Sequence, residues 1–200
     1  MTKKLSTKIV TLFVATILFI VAAVSIASYQ NSYHMLVNVF SAKASQIAAI
    51  SSASVNIDEF NSYKTAEDTK STSYVALLDK LSYIRKISGA KYLYMLRKTD
   101  EGKYIYILDA SQEPTAFGTE EAPFQGYEQT YTGTPYISKK IDVDQYGELV
   151  SAMYPIKDSN AKVVGLLGVD YDAHDGYLEL KAFRVEIIIW SVGFAILGIL

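Results

Sequence analysis

Lys91-Tyr-Leu-Tyr-Met-Leu-Arg97 and Lys103-Tyr-Ile-Tyr-Ile-Leu-Asp109 are two short runs rich in tyrosine and apolar residues, joined through Thr99-Asp-Glu-Gly102. Such side chains suit a pleated, half-buried surface, and the polar connector ending in glycine is turn chemistry, so the pair predicts a β-hairpin. Toward the C-terminus, Leu149-Val-Ser-Ala-Met-Tyr-Pro-Ile156 and Val163-Val-Gly-Leu-Leu-Gly-Val-Asp170 repeat the pattern around Lys157-Asp-Ser-Asn-Ala161, a second hairpin. Between the hairpins, residues 110–148 hold Pro114, Pro123 and Pro135 with Gly118, Gly126, Gly133 and Gly147. That composition predicts a long irregular segment of the kind that tends to carry function.

Toward the N-terminus the period changes. Tyr74, Leu77, Leu78, Leu81, Ile84 and Ile87 recur at helical spacing up to Gly89, a helix stop. Residues 61–73 are polar and read as a loop. Residues 30–56 contain no proline or glycine and space Leu36, Phe40, Ala44, Ile47 and Ala48 on one helical face. That helix would be about 40 Å long. Its small residues, Ala42, Ala44, Ala48, Ala49, Ser52 and Ala53, permit close approach by another surface, which is either the protein's own sheet or a second copy in a homodimer. The order helix, helix, strand pair, long loop, strand pair, helix is that of an α+β domain.

Two uncharged apolar stretches bracket this middle. Residues 9–28 have the roughly 20 residues needed to cross a bilayer as a helix, longer than the h-region of a cleaved signal peptide. Lys3, Lys4 and Lys8 precede the span, so the positive-inside rule keeps residues 1–8 in the cytoplasm and places residues 29–180 outside the inner membrane. Residues 177–200 enter the membrane again. From Ile187 to Leu200 the apolar run is shorter than a full span, which reads as a second transmembrane helix cut before its end, with a cytoplasmic output region beyond it. Residues 29–176, between the spans, are of a size for one domain.

Charge and composition narrow the function. Of 21 acidic residues, all but Glu186 lie between Tyr29 and Phe183, whereas Lys3, Lys4, Lys8 and Arg184 lie outside that region. An acidic domain is a poor partner for nucleic acid. Without cysteine there is neither a disulfide framework nor thiolate chemistry. Asp170-Tyr-Asp-Ala-His-Asp-Gly176 departs from a calcium loop, with Asp175 one place late and Lys181 where a bidentate Glu belongs. His34 and His174 stand far apart in sequence, on different helices. No nucleophile-and-base pattern, phosphate loop or zinc spacing appears, so the segment reads as a non-enzyme with no cofactor and no metal.

Ser88-Gly-Ala-Lys-Tyr-Leu-Tyr94, Tyr104-Ile-Tyr-Ile-Leu-Asp109, Ser151-Ala-Met-Tyr-Pro-Ile-Lys-Asp158 and Val163-Val-Gly-Leu-Leu-Gly-Val-Asp170 together resemble the Cache family, the PAS-like extracytoplasmic sensor modules of bacterial chemoreceptors, sensor kinases and diguanylate cyclases. The resemblance covers roughly residues 31–172. Ala161 stands where such domains often carry glycine, and Asn160 is the residue expected to take the left-handed turn position instead. The resemblance implies a PAS-like antiparallel sheet packed on the long N-terminal helix, with a ligand pocket on the sheet roofed by the long loop.

Five residues are candidates for that pocket. Asp170 closes an apolar strand and either caps the following helix or faces a cationic, amine-bearing ligand. Asp109 likewise ends a strand, as a pocket group or as the anchor of an Asx turn. Tyr94, Tyr131 and Tyr154 offer aromatic faces and hydroxyls that serve a core as well as a ligand. Arg97, beside Lys98 at a strand end, reads as solvated. The expectation is a ligand-sensing region of a transmembrane receptor, whose missing output is a methyl-accepting region or a diguanylate cyclase, with a histidine kinase third. The contrasting reading is a membrane-anchored adhesion or scaffold domain that binds a protein through its long loop.

Overall fold

The computed structural model describes residues 2–197, so the last residues of the second apolar stretch, 198–200, and the side chains of Lys3 and Lys4 lie outside the described residues. The chain divides into two units, residues 37–173 and the helical segments up to 36 and from 174 onward.

The helical unit takes the first part of α1 (Thr2–Ala53) and α5 (His174–Leu197). One helix among the described residues, α1, is long and apolar enough to cross a membrane. Its apolar side chains face outward on all sides, Leu12 70%, Phe13 66% and Phe19 74% exposed. A helix that is apolar all round fits a membrane anchor, because in water every face of it would be exposed. His34 lies on α1 and His174 on α5, as the sequence places them.

In the other unit, α1 continues to Ala53 and buries Val37, Ser41, Ala44, Ala48 and Ser51, a stripe at alternating steps of four and three. Ala44 and Ala48 belong to the core beneath the sheet, so this part of the alanine face is covered by the protein's own strands. Residues 61–73 are more ordered than a loop. They contain the end of α2 (Ile57–Ser62), capped by Asn56, and a 3-10 turn (Ala66–Lys70) closed by a reciprocal Thr65–Asp68 capping box. The capping amides also hold the Asp68 carboxyl below its usual range. Next comes α3 (Thr72–Ser88), which starts at Ser71 and stops at Gly89 in the left-handed conformation, φ 74°.

The sheet contains β1 (Tyr92–Lys98), β2 (Tyr104–Asp109), β3 (Glu120–Glu121), β4 (Tyr136–Ile137), β5 (Asp142–Asp144), β6 (Gly147–Lys157) and β7 (Val163–Asp172), with α4 (Gln125–Tyr131) between β3 and β4. Their order is β3-β2-β1-β7-β6-β4, all neighbours antiparallel, and β5 also pairs with β6. Both expected hairpins form. The supposedly irregular segment 110–148 instead supplies β3, α4, β4 and β5.

Helices cover one face of the sheet, where Phe60, Leu167, Val169 and Tyr171 are buried, and Tyr171 stacks on Phe40 of α1. Two strand glycines make room for rings on opposite faces. A Cβ at Gly165 would meet the Phe60 ring at 2.5 Å, and one at Gly168 would meet the Tyr94 ring at 2.5 Å. In the β6–β7 turn it is Ala161 itself, not Asn160, that takes positive φ, 63°. Arg97 also departs from its expected solvated state. It is half-buried, lies 4.5 Å from the Phe60 ring centre and donates to the carbonyls of Tyr63 (2.7 Å) and Phe60 (2.5 Å), bracing α2 against β1.

Candidate functional site

The face of the sheet away from α1 carries Leu149, Ser151 and Met153 of β6, Gly168 and Asp170 of β7, and Tyr92 and Tyr94 of β1, by the two-residue alternation of strands. Over it lies the segment between β2 and β6. Between the two is a cavity of about 660 Å³, within the size range of small-molecule sites. Its aromatic walls are Tyr94, Tyr106, Phe124, Tyr127 and Tyr146.

Asp170 sits in the floor, with Tyr92 opposite on β1 and Ser151 opposite on β6. It does not cap α5, because β7 continues two residues past it to Asp172 and the helix begins only at His174. It is 5% exposed and its Oδ1 has no hydrogen-bond partner. Burial pushes its pKa up to about 7, and the charges of Asp144 and Glu121 push the same way. The Ser151 and Tyr94 hydroxyls favour the ionised form, yet they do not offset the loss of water.

A bulge decides where Asp109 points. Met95 pairs with Leu108 but Leu96 pairs with Tyr106, leaving Ile107 as the extra residue on β2. Without it, the alternation from Tyr104 and Tyr106 would bring Leu108 to the cavity and turn Asp109 toward the helices. With it, Asp109 pairs with Tyr94 and lines the cavity. Its carboxylate is nevertheless occupied. Oδ1 accepts the Ser111 amide at 2.9 Å and the Ser111 hydroxyl, and Oδ2 accepts the Thr115 amide at 2.7 Å, so Asp109 pins the start of the covering segment.

Tyr94 lines the cavity, lying over Gly168, and burial holds its hydroxyl well above the usual phenol range. Tyr154 lies on the other face of β6, where its hydroxyl hydrogen-bonds Ser45 of α1 at 2.8 Å. Tyr131 lies outside the cavity lining. Its hydroxyl accepts the Lys98 amide at 2.5 Å, tying α4 to the end of β1. The structure therefore brings Tyr94, Asp109 and Asp170 together and separates Tyr131 and Tyr154 from them.

Glu121 was not among the sequence candidates. It is 6% exposed, on β3, and its carboxylate accepts the hydroxyls of Tyr106 at 2.6 Å and Tyr146 at 3.1 Å. A two-residue strand has no period to read, and the Glu120-Glu121 pair looks like any solvated acidic step. Among the described residues no Lys, Arg or His lines the cavity. Lys91, next to Tyr92, is held by Asp172 at 2.9 Å and by the Tyr146 carbonyl at 3.0 Å. Among the described residues no three acidic, histidine or cysteine side chains converge as a metal site.

No protein-family model matches the chain, and no curated protein matches it. Among solved structures it is similar to the sensor domain of Escherichia coli DcuS, with a TM-score of 0.51 at 12% identity over 75% of this chain and 98% of that one. It is similar too to the sensor domain of the Vibrio cholerae histidine kinase DctB, with a TM-score of 0.52 at 14% identity over 80% of this chain and 57% of that one. The ligand-binding domain of the Campylobacter jejuni chemoreceptor Tlp3, in complex with L-valine, aligns with a TM-score of 0.44 at 13% identity over 82% of this chain and 66% of that one. The long helix on one face of an antiparallel sheet and the similarity to the DcuS and DctB sensor domains give this chain the α+β, PAS-like fold of the Cache sensor domains.

Proposed function

We propose that this chain is the ligand-sensing region of a membrane signalling receptor, a chemoreceptor or a diguanylate cyclase, and that its cavity takes a small ligand bearing a cationic amine. The carrying observation is Asp170, a buried carboxylate with an unpartnered oxygen, in a cavity that no basic side chain lines. Such a group is costly to bury, and an ammonium ion answers it with a charge-assisted hydrogen bond. Aromatic walls suit the same ligand, since ring faces attract cations. A passive adhesion surface has no use for a buried, unanswered carboxylate.

In this reading residues 29–176 lie outside the cytoplasm, with a span before them and a second one after. Asp170 stands four residues before α5, so a ligand that draws on β7 acts on a strand leading directly into that helix. Ligand binding then favours one of two arrangements of the flanking helices.

The test is thermal melting of the full chain in nanodiscs against small amines, carboxylates and neutral analogues. Amines at about a hundred times their Kd stabilise by roughly 2.7 kcal/mol and raise Tm by several degrees, while carboxylates leave it unchanged. A panel in which carboxylates raise Tm and amines do not would sink the amine reading.

A further inference from the structure

Six carboxylates line the cavity, and four of them are already answered or open to water. Asp109 holds its loop, Asp142 is ion-paired with Lys140 at 3.0 Å, Asp144 accepts the Tyr146 amide at 2.7 Å, and Glu113 is exposed. Asp170 and Glu121 remain, both more than nine-tenths buried. Asp109 is about as buried but has both oxygens bonded, whereas the Tyr106 and Tyr146 hydroxyls reach chiefly Oε2 of Glu121, leaving its Oε1 one contact at 3.4 Å, and Asp170 has an oxygen with no partner. Both carboxylates line the same cavity, where burial first, then the charges of Asp144 and Glu121, raise the proton affinity of Asp170.

A ligand with one ammonium group answers one of these carboxylates and leaves the other buried and unpaired. A zwitterionic amino acid does worse, because its own carboxylate enters a site with no lining base to receive it. Two ammonium groups on an apolar stem answer both, and the methylenes lie against the rings of Tyr94 and Tyr127. We propose that the cavity is a binding site for a linear aliphatic diamine, with one ammonium group on Asp170 and the other on Glu121. The proposal rests on the amine reading above and adds the second charge.

Calorimetry on the full chain in nanodiscs, above neutral pH, compares putrescine with butylamine and L-valine. Putrescine binds at least about tenfold more tightly than butylamine, and valine gives no heat. Glu121→Gln weakens putrescine by about ten- to a hundredfold, the range for losing a charge-assisted hydrogen bond, and leaves butylamine within about twofold. Equal affinity of putrescine and butylamine for the unaltered chain overturns the dication proposal and leaves the amine pocket standing. An equal loss for both amines in Glu121→Gln overturns the assignment of Glu121. If neither amine binds, both readings fall. The two-amine comparison needs no substitution, so it decides even where the variant folds poorly.

Discussion

Asp170 links stability, pH and binding through a single proton. Its folded pKa, about 7, lies above the ordinary carboxylate value of 3.8, because burial penalises the charge and Asp144 and Glu121 repel it, against the smaller pull of the Ser151 and Tyr94 hydroxyls. Between about pH 4 and pH 7 the unfolded chain has released this proton and the folded chain has not, so stability falls as pH rises and levels off above 7. Asp170→Asn removes that dependence. The melting temperature of the variant minus that of the parent should therefore grow from about pH 4 to about pH 7 and then stay constant. The full effect is on the order of 4 kcal/mol at about 1.4 kcal/mol per pKa unit. A difference that stays flat across this range contradicts a buried, proton-holding Asp170. On the amine reading, affinity for an amine should run the opposite way, rising through neutrality as the carboxylate ionises.

At the scale of elements, β7 does two jobs at neighbouring positions. Gly165 admits Phe60 on the helix face and Gly168 admits Tyr94 on the cavity face, so one strand serves core and site by omitting two side chains. Gly168→Ala places a methyl 2.5 to 2.8 Å from the far end of the Tyr94 ring and must drive it into the cavity. The expected cost is about 1–3 kcal/mol of stability, as for other overpacked sites, together with loss of amine binding. The loss of stability should be smaller in a Tyr94→Leu background, since the clash is with that ring. Equal costs in both backgrounds would mean that the strand, not the ring, resists the methyl. The neighbouring turn shows a limit of local reading. Residues with turn chemistry were evident at 157–161, but which of them takes the left-handed position depends on where the ladder ends, and Lys157 pairs with Val163 only after a register shift.

On the scale of the whole molecule, the long apolar helix and the cavity serve the proposed receptor only if the domain faces away from the cytoplasm. Alkaline phosphatase fused after Asn61 should be active, and a cytoplasmic reporter at the same position inactive; the reverse pattern would place the cavity in the cytoplasm and end the receptor reading. The expectation comes from lysines ahead of an all-round apolar helix and an acidic middle, properties of composition that need no tertiary structure.

Elements were legible in the sequence because their causes are local. Helical period and Gly89 bounded α3, tyrosine-rich alternation marked β1 and β2, and uninterrupted apolar residues marked α1 as long and apolar enough to cross a membrane. The choice of residues facing the cavity was not local. Tyr94 and Tyr154 have the same chemistry and similar strand settings, and only the pairing register sends one to the cavity and the other to Ser45 of α1. Asp109 reached the cavity through one extra residue in β2, Glu121 through a two-residue strand with no readable period, and Arg97 found its carbonyl partners on α2, more than thirty residues away. Strand side chains alternate, so a shift of one residue exchanges the faces. The sequence by itself therefore determined the long helices, the two hairpins and the apolar stretch of α1, whereas tertiary structure decided the short elements within 110–148 and, through the ladder between distant strands, which side chains line the cavity.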